Sequence, residues 1–132
     1  MAAIAQNPME RRHKILVVDD EVVIRELLVD ILSDEGFEVQ SAPNGRVALE
    51  KLRADGDLVA IFTDIMMPEM DGMDTMQEIR KLPQGRDLPM IAVTAKAMKG
   101  DRQKCIEAGA WDYLSKPVNT MDLLTVLRAW LR

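Results

Sequence analysis

Two hydrophobic rhythms take turns along this chain. "KILVV" (14–18) is a short apolar run of the kind that forms a buried strand, and "EVVIRELLVDILSDEG" after it places Ile24, Leu27, Leu28, Ile31 and Leu32 at helical spacing before Gly36. "FEVQSA" alternates as a strand, "NGRVALEKLRADG" returns to helical spacing through Val47, Ala48, Leu49 and Leu52, and "LVAIFTD" is again a strand. Beyond "MMPEMDG", Met73, Met76 and Ile79 mark a third helix that ends near "LPQG". "LPMIAVTA" then reads as a fourth strand, "MKGDRQKCIEAG" as a fourth helix, and "AWDYLSKP" contains a short fifth strand. Thr120, Leu123, Leu124, Leu127 and Leu131 give the last helix an apolar stripe, with Asn119 or Thr120 as its cap.

Five strands alternating with five helices predict an α/β fold: a doubly wound parallel sheet covered on both faces, with right-handed crossovers and strand order 2-1-3-4-5. A chain of 132 residues, 48% hydrophobic and 30% charged, is sized for one such domain. We assign it residues 13–132 and expect residues 1–12 to form a flexible lead. No apolar run reaches the ~18 residues of a membrane span, and the head lacks the layout of a signal peptide, so the expected setting is cytoplasmic, with no membrane partner.

The remaining totals narrow the chemistry. Cys105 is the one cysteine, which excludes an internal disulfide and suggests a small buried hydrophobe. His13 is the one histidine and has no triad or zinc partners near it in the sequence. A net charge of −5 argues against direct DNA binding, as does the lack of a helix-turn-helix segment after the last helix.

"TDIMMPEMDG" poses the functional question, because it ends an apolar strand on the carboxylate of Asp64. In a doubly wound sheet all strands open their carboxyl ends on one edge, where ligands bind. Strand 1 ends there in Asp19, Asp20 and Glu21, strand 3 in Asp64 and strand 4 in Thr94, and strand 5 runs into Lys116. Strands 1 and 3 flank the switch point, so Asp19, Asp20 and Asp64 are expected to crowd one pocket. Like charges that close disfavour joint ionisation unless a cation neutralises them. All-oxygen donors with room for water suit Mg²⁺ better than Ca²⁺, and the loop lacks the regular acidic spacing of a calcium loop. With metal, hydroxyl and ammonium each able to take one phosphoryl oxygen, the constellation predicts phosphoryl transfer to Asp64 as a carboxylate nucleophile.

"VVDDE", "TDIMMPEMDG", "VTA" and "YLSKP", in this order and at these separations, resemble the receiver domain of two-component response regulators across about residues 13 to 131. The resemblance implies a flavodoxin-like (βα)5 fold and a phosphoacceptor role for Asp64. It further implies Mg²⁺ on Asp19, Asp20, Asp64 and the backbone carbonyl of Met66, with Asp19 acting mainly through water. Thr94 and Lys116 would hold phosphoryl oxygens, Thr94 and Tyr113 would form the switch, and the peptide bond before Pro117 would be cis. A histidine kinase or phosphotransfer protein would be the donor, docking near Ile24 and Leu28 of helix 1. An undetermined downstream protein would read the face of helix 4, strand 5 and helix 5, with the chain a monomer or weak dimer. Such a protein catalyses its own phosphorylation and dephosphorylation, not turnover of an external substrate.

In style the "VTAKAMKGDRQKCIEAGAWDYLSKP" segment is closest to receivers of hybrid kinases and single-domain phosphorelay regulators. Val126, Trp130 and Trp111 are candidate partner contacts, and Met66 and Lys96 are expected to slow autodephosphorylation by their bulk. Each residue taken alone has a plainer reading: Asp19 and Asp20 as a helix cap, Thr94 as a strand residue, Lys116 as a surface charge and Tyr113 as a core aromatic. An aspartyl-phosphate hydrolase would need a second acid where Met66 stands. A receiver-like binding module without chemistry is the other alternative, and a Rossmann cofactor domain lacks its glycine fingerprint.

Overall fold

Alternating side chains on buried strands need cover on two faces, and the chain supplies it with helices on both. A computed structural model describes residues 13–64, 72–94 and 101–130. The residues 1–12, the loop residues Met66, Met67 and Met70, Lys96, Leu131 and the side chain of Met73 lie outside that description. The elements are β1 (Lys14–Val18), α1 (Val22–Asp34), β2 (Glu38–Ala42), α2 (Gly45–Ala54), β3 (Leu58–Asp64), α3 (Gly72–Lys81), β4 (Met90–Thr94), α4 (Asp101–Ala108), β5 (Asp112–Ser115) and α5 (Thr120–Trp130). A short 3-10 turn, Pro83–Gly85, links α3 to β4.

All strand pairs are parallel and the order is β2-β1-β3-β4-β5, as expected from the alternation. The pleat sends Ile15 and Val17 of β1 into one core with Leu28 and Leu32 of α1 and Leu123, Val126 and Leu127 of α5. Leu16 and Val18 enter the other core, with Ala48, Leu49 and Leu52 of α2, Met76 and Ile79 of α3, and Cys105 of α4. Helices α1 and α5 therefore cover one face of the sheet, and α2, α3 and α4 the other. Burial of each large aliphatic side chain contributes on the order of 1.5–3 kcal/mol.

Local chemistry sets the helix ends. Asn44 Oδ1 accepts from Val47 N at 2.9 Å to cap α2. Asn119, the first of the two cap candidates, caps α5: its Oδ1 accepts from Asp122 N at 2.8 Å and its Nδ2 donates to Asp122 Oδ2 at 2.9 Å. No side-chain oxygen caps α1, whose N-cap is Glu21. The cap reading of the Asp19–Asp20 pair therefore fails.

Three helix assignments change. Leu28 is 1% exposed and belongs to the core, so it cannot form a docking surface; the apolar side chains that α1 presents to solvent are Val22, Val23 and Leu27. Thr120 is exposed and outside the inward stripe of α5. Val126 is 7% exposed and packs inward with Leu127, so it is not a partner contact. Helix α1 carries more apolar residues than one stripe can bury, and a wheel drawn on α5 cannot show how far its C-terminal turn leans onto β3 and β4.

Two side chains that pattern reading did not single out lock the edge opposite the strand carboxyl ends. Asp55, after α2, accepts from Lys14 Nζ at 3.1 Å, Gln40 Nε2 at 3.0 Å and Asp57 N at 2.9 Å, joining β1, β2 and the approach to β3. Arg80 Nη1 donates to Gly85 O at 2.8 Å and Leu88 O at 2.7 Å, and Nη2 to Gly109 O at 2.5 Å. Gly109 has φ +123°, and a Cβ there would lie 3.1 Å from Arg80 Cγ, so glycine serves both the turn and the guanidinium.

Candidate functional site

Sheet order does the first work of site building. Because β1 and β3 are neighbours, with Val18 opposite Thr63, the residues that follow them converge. Asp19 (0% exposed) and Asp64 (2% exposed) are buried, while Asp20 and Glu21 reach solvent. One carboxylate oxygen from each of Asp19, Asp20, Glu21 and Asp64 lies within 4.8 Å of the others. The carboxylate cluster expected at the switch point is present, and Glu21 is part of it.

Lys116 arrives from beyond β5. Its backbone N donates to Thr94 O at 2.7 Å, continuing the β4–β5 pairing by one residue, and this bond aims its side chain back over the strand ends. The peptide bond Lys116–Pro117 is cis. Lys116 Nζ lies 3.0 Å from Asp19 Oδ2, 3.0 Å from Glu21 Oε1 and 3.3 Å from Asp64 Oδ2, with its side chain almost fully enclosed. Burial works against the ammonium, but the contacts with Asp19 and Glu21 and the charge of Asp64 outweigh it, and the lysine is held protonated well beyond its ordinary range. Thr94, 0% exposed, closes the end of β4 beside this group. The surface-charge reading of Lys116 does not fit.

Asp19 is the most constrained member. Its Oδ1 accepts from Glu21 N at 2.9 Å, and its backbone O accepts from Arg25 Nη1 at 2.8 Å. Its Oδ2 is completely enclosed and pairs with the Lys116 ammonium at 3.0 Å, with no further hydrogen-bond donor among the described residues. Among the described residues four carboxylates gather around one ammonium, an excess of negative charge, and an enclosed oxygen held by that ammonium alone suits a hard cation. The donor set fits a divalent ion bound through oxygen.

Tyr113 lies on β5 opposite Ala92, half-buried against the core under α3 and α4. Trp111 stands just before β5 and Trp130 ends α5, as expected. Trp111 N donates to Met90 O, at the first residue of β4, which puts the ring at the amino edge of the sheet, remote from Asp64. Trp130 meets it edge-on at 5.4 Å and donates its indole N–H to Asp112 Oδ2 at 2.8 Å. The two rings cover each other, each still more than a third exposed. The carbonyl of Met66 and the side chain of Lys96 lie outside the described residues.

A five-stranded doubly wound domain with carboxylates, a hydroxyl and a lysine gathered at its switch point defines a narrow class of α/β protein. Comparison with known proteins gives the class its name: the chain belongs to the response regulator receiver domain family, whose model matches residues 15–128. It is 42% identical over 116 residues to an uncharacterised 14.6 kDa protein of Leptolyngbya boryana, covering 88% of each chain. Among solved structures it is similar to chemotaxis protein CheY4 of Vibrio cholerae, with 32% identity, TM-score 0.86, and coverage of 91% of this chain and 99% of that one. It is also similar to the receiver domain of sensor histidine kinase PA1611 from Pseudomonas aeruginosa, solved with magnesium in the active site cleft: 34% identity, TM-score 0.83, 90% and 97% covered. The chain spans about half the length of the transcriptional regulators of Picosynechococcus and Haemophilus influenzae that it also matches. Its relatives thus include a chemotaxis protein, the receiver domain of a sensor histidine kinase and transcriptional regulatory proteins, and the stylistic likeness of one segment does not separate them. No helix among the described residues is long and apolar enough to cross a membrane.

Proposed function

We propose that this receiver domain accepts a phosphoryl group on Asp64 from a phosphohistidine of a histidine kinase or phosphotransfer protein, with Mg²⁺ as cofactor. The observation that carries the reading is the buried Asp64 carboxylate placed 3.3 Å from Lys116 and within the Asp19–Asp20–Glu21 cluster. An Asp64 carboxylate oxygen attacks phosphorus, the P–N bond to the donor imidazole breaks, and its electron pair leaves with the imidazole. Lys116 and the Thr94 hydroxyl each take a phosphoryl oxygen, stabilising charge where it develops. Asp19, Asp20, Asp64 and the Met66 carbonyl would hold Mg²⁺, which supplies charge neutralisation between the carboxylate and the incoming phosphoryl oxygens.

On this reading Asp19, its Oδ1 fixed by Glu21 N, keeps its second oxygen directed at the pocket. Thr94 moving towards the phosphoryl group draws Tyr113 inward and changes the face of α4, β5 and α5 for a downstream protein. The domain acts in the cytoplasm on its own phosphorylation state, including autodephosphorylation, and turns over no external substrate. It works as a monomer or weak homodimer, without contacting DNA directly.

The test is intact mass after incubation with acetyl phosphate, with and without Mg²⁺, on the native chain and Asp64→Asn. One added phosphoryl group that requires both Mg²⁺ and Asp64 supports the reading. No adduct on the native chain, with a phosphorylated phosphotransfer protein also tried as donor, would leave a receiver fold used only for binding.

A further inference from the structure

Glu21 has no part in that chemistry, yet it is built into the site. Its backbone N is tied to Asp19 Oδ1 at 2.9 Å, so its position is fixed by the deepest carboxylate of the pocket. Its own carboxylate, 61% exposed, reaches back to within 3.0 Å of Lys116 Nζ. The lysine is thereby shared among three acids, two of them buried and one on the solvent side.

A divalent cation and an ammonium compete for the same buried oxygens. Lys116 Nζ faces Asp19 Oδ2 and Asp64 Oδ2, the oxygens from which a bound cation would draw its neutralising charge. When a cation takes over that neutralisation, the ammonium must give ground. Asp19 and Asp64 lie on the inner side of it, and solvent on the other. Among the described acids within 3.5 Å of Lys116, Glu21 alone is exposed, so it is the one that can keep the ammonium while the other two turn to the metal.

We propose, on the reading of Asp64 as an Mg²⁺-dependent phosphoacceptor, that Glu21 is a positioning residue: it holds Lys116 aside when metal enters and keeps it poised over Asp64 until a phosphoryl oxygen replaces the carboxylate. Its effect on the metal runs through Lys116, not through direct coordination. The two cations in the pocket are thus coupled, and the strength of metal binding depends on where the lysine rests.

The experiment is a double-mutant cycle on Mg²⁺ affinity, measured by calorimetry on the unphosphorylated full chain, with the native protein, Glu21→Gln, Lys116→Met and the double variant. Glu21→Gln is expected to weaken Mg²⁺ binding by about threefold to tenfold in the native background and by less than about half that factor in the Lys116→Met background, a coupling of the size found between contacting residues. Glu21→Asp, which keeps the charge on a shorter arm, should recover part of the loss. Equal loss in both backgrounds would mean that Glu21 acts as a metal ligand or by its charge alone, and would overturn the inference while leaving the phosphoacceptor reading intact. A native chain that binds no Mg²⁺ would overturn that reading, and the inference with it.

Discussion

Lys116 Nζ lies 3.3 Å from Asp64 Oδ2, although 52 residues separate the two in sequence. The pair, extended to Asp19, is an ion cluster in which one ammonium neutralises carboxylates brought by two other strands. Removing the ammonium leaves enclosed negative charge without its counterion, which costs about 3–5 kcal/mol for a fully buried pair. Lys116→Met is therefore expected to lower stability to urea by about 2–4 kcal/mol in the absence of metal, and to recover much of that in millimolar Mg²⁺. Equilibrium unfolding with and without Mg²⁺ measures both quantities. A loss that Mg²⁺ does not touch would mean that the lysine matters for packing and not for charge.

The enclosed Asp19 Oδ2 makes a prediction of its own. A ligand bound by the native state alone stabilises it by about 2.7 kcal/mol at a hundred times its dissociation constant. Saturating Mg²⁺ is expected to raise the thermal midpoint of the native chain by several degrees and that of Asp19→Asn by far less. Asp19→Asn also relieves crowding in the cluster, so its midpoint without metal should match or exceed that of the native chain. A thermal scan over a series of Mg²⁺ concentrations decides it.

On the opposite edge, Asp55 ties three segments together. The hydrogen bond from Asp57 N, followed by that from Lys14, holds its carboxyl below its ordinary value of 3.8, and the same contact raises Lys14. A depressed carboxylate contributes stability that is present above the unfolded value and lost as pH falls through the folded one. Asp55→Asn is expected to flatten the acid limb of a stability profile below about pH 4 and to leave its slope near neutrality unchanged. Lys14 contributes in the opposite sense, its share being lost only as pH rises past its raised value. Urea midpoints between pH 3 and 7 give the comparison.

Arg80 holds carbonyls from the 3-10 turn, the approach to β4 and the α4–β5 connection with a single planar group. Burial lowers its pKa, opposed by the charge of Asp87, but an arginine has ample range before it loses its proton. Arg80→Met leaves these carbonyls without their donor and is expected to cost at least about 2 kcal/mol. Arg80→Lys should rescue little of this, since an ammonium cannot reach three carbonyls that a fork spans. Gly109→Ala, which forces a Cβ into the left-handed region beside the guanidinium, should cost about 1–3 kcal/mol. Denaturant unfolding of the three variants tests the set.

Much of the fold was legible because each element carries its own periodicity. The buried runs of β1, β3 and β4 and the apolar positions of α2 hold whatever surrounds them, and alternation of strand and helix left few topologies. The site was legible for a related reason: in this fold the residue at or just past a strand's carboxyl end is placed by the strand, so Asp19, Asp64, Thr94 and Lys116 followed from counting. Four features did not. The solvent-facing side of α1 depends on which of its many apolar residues the sheet covers. The inward lean of Val126 depends on how α5 crosses β3 and β4. Arg80 and Asp55 serve backbone groups whose positions exist only after folding, and no spacing between side chains signals a carbonyl in need of a donor. Glu21 lay within the quoted motif, but its hold on Lys116 joins β1 to β5 and has no local trace.

The paired indoles at the amino edge carry a practical consequence. Trp111 and Trp130 are the only tryptophans in the chain. They sit beside each other at the start of β5 and the end of α5, with the length of the sheet between them and Asp64. Indole emission is therefore not quenched directly by an ion or phosphoryl group bound at the carboxyl edge. Any change in its colour or intensity when the pocket fills has crossed the domain, so the molecule carries a built-in optical gauge of how far a local event is felt.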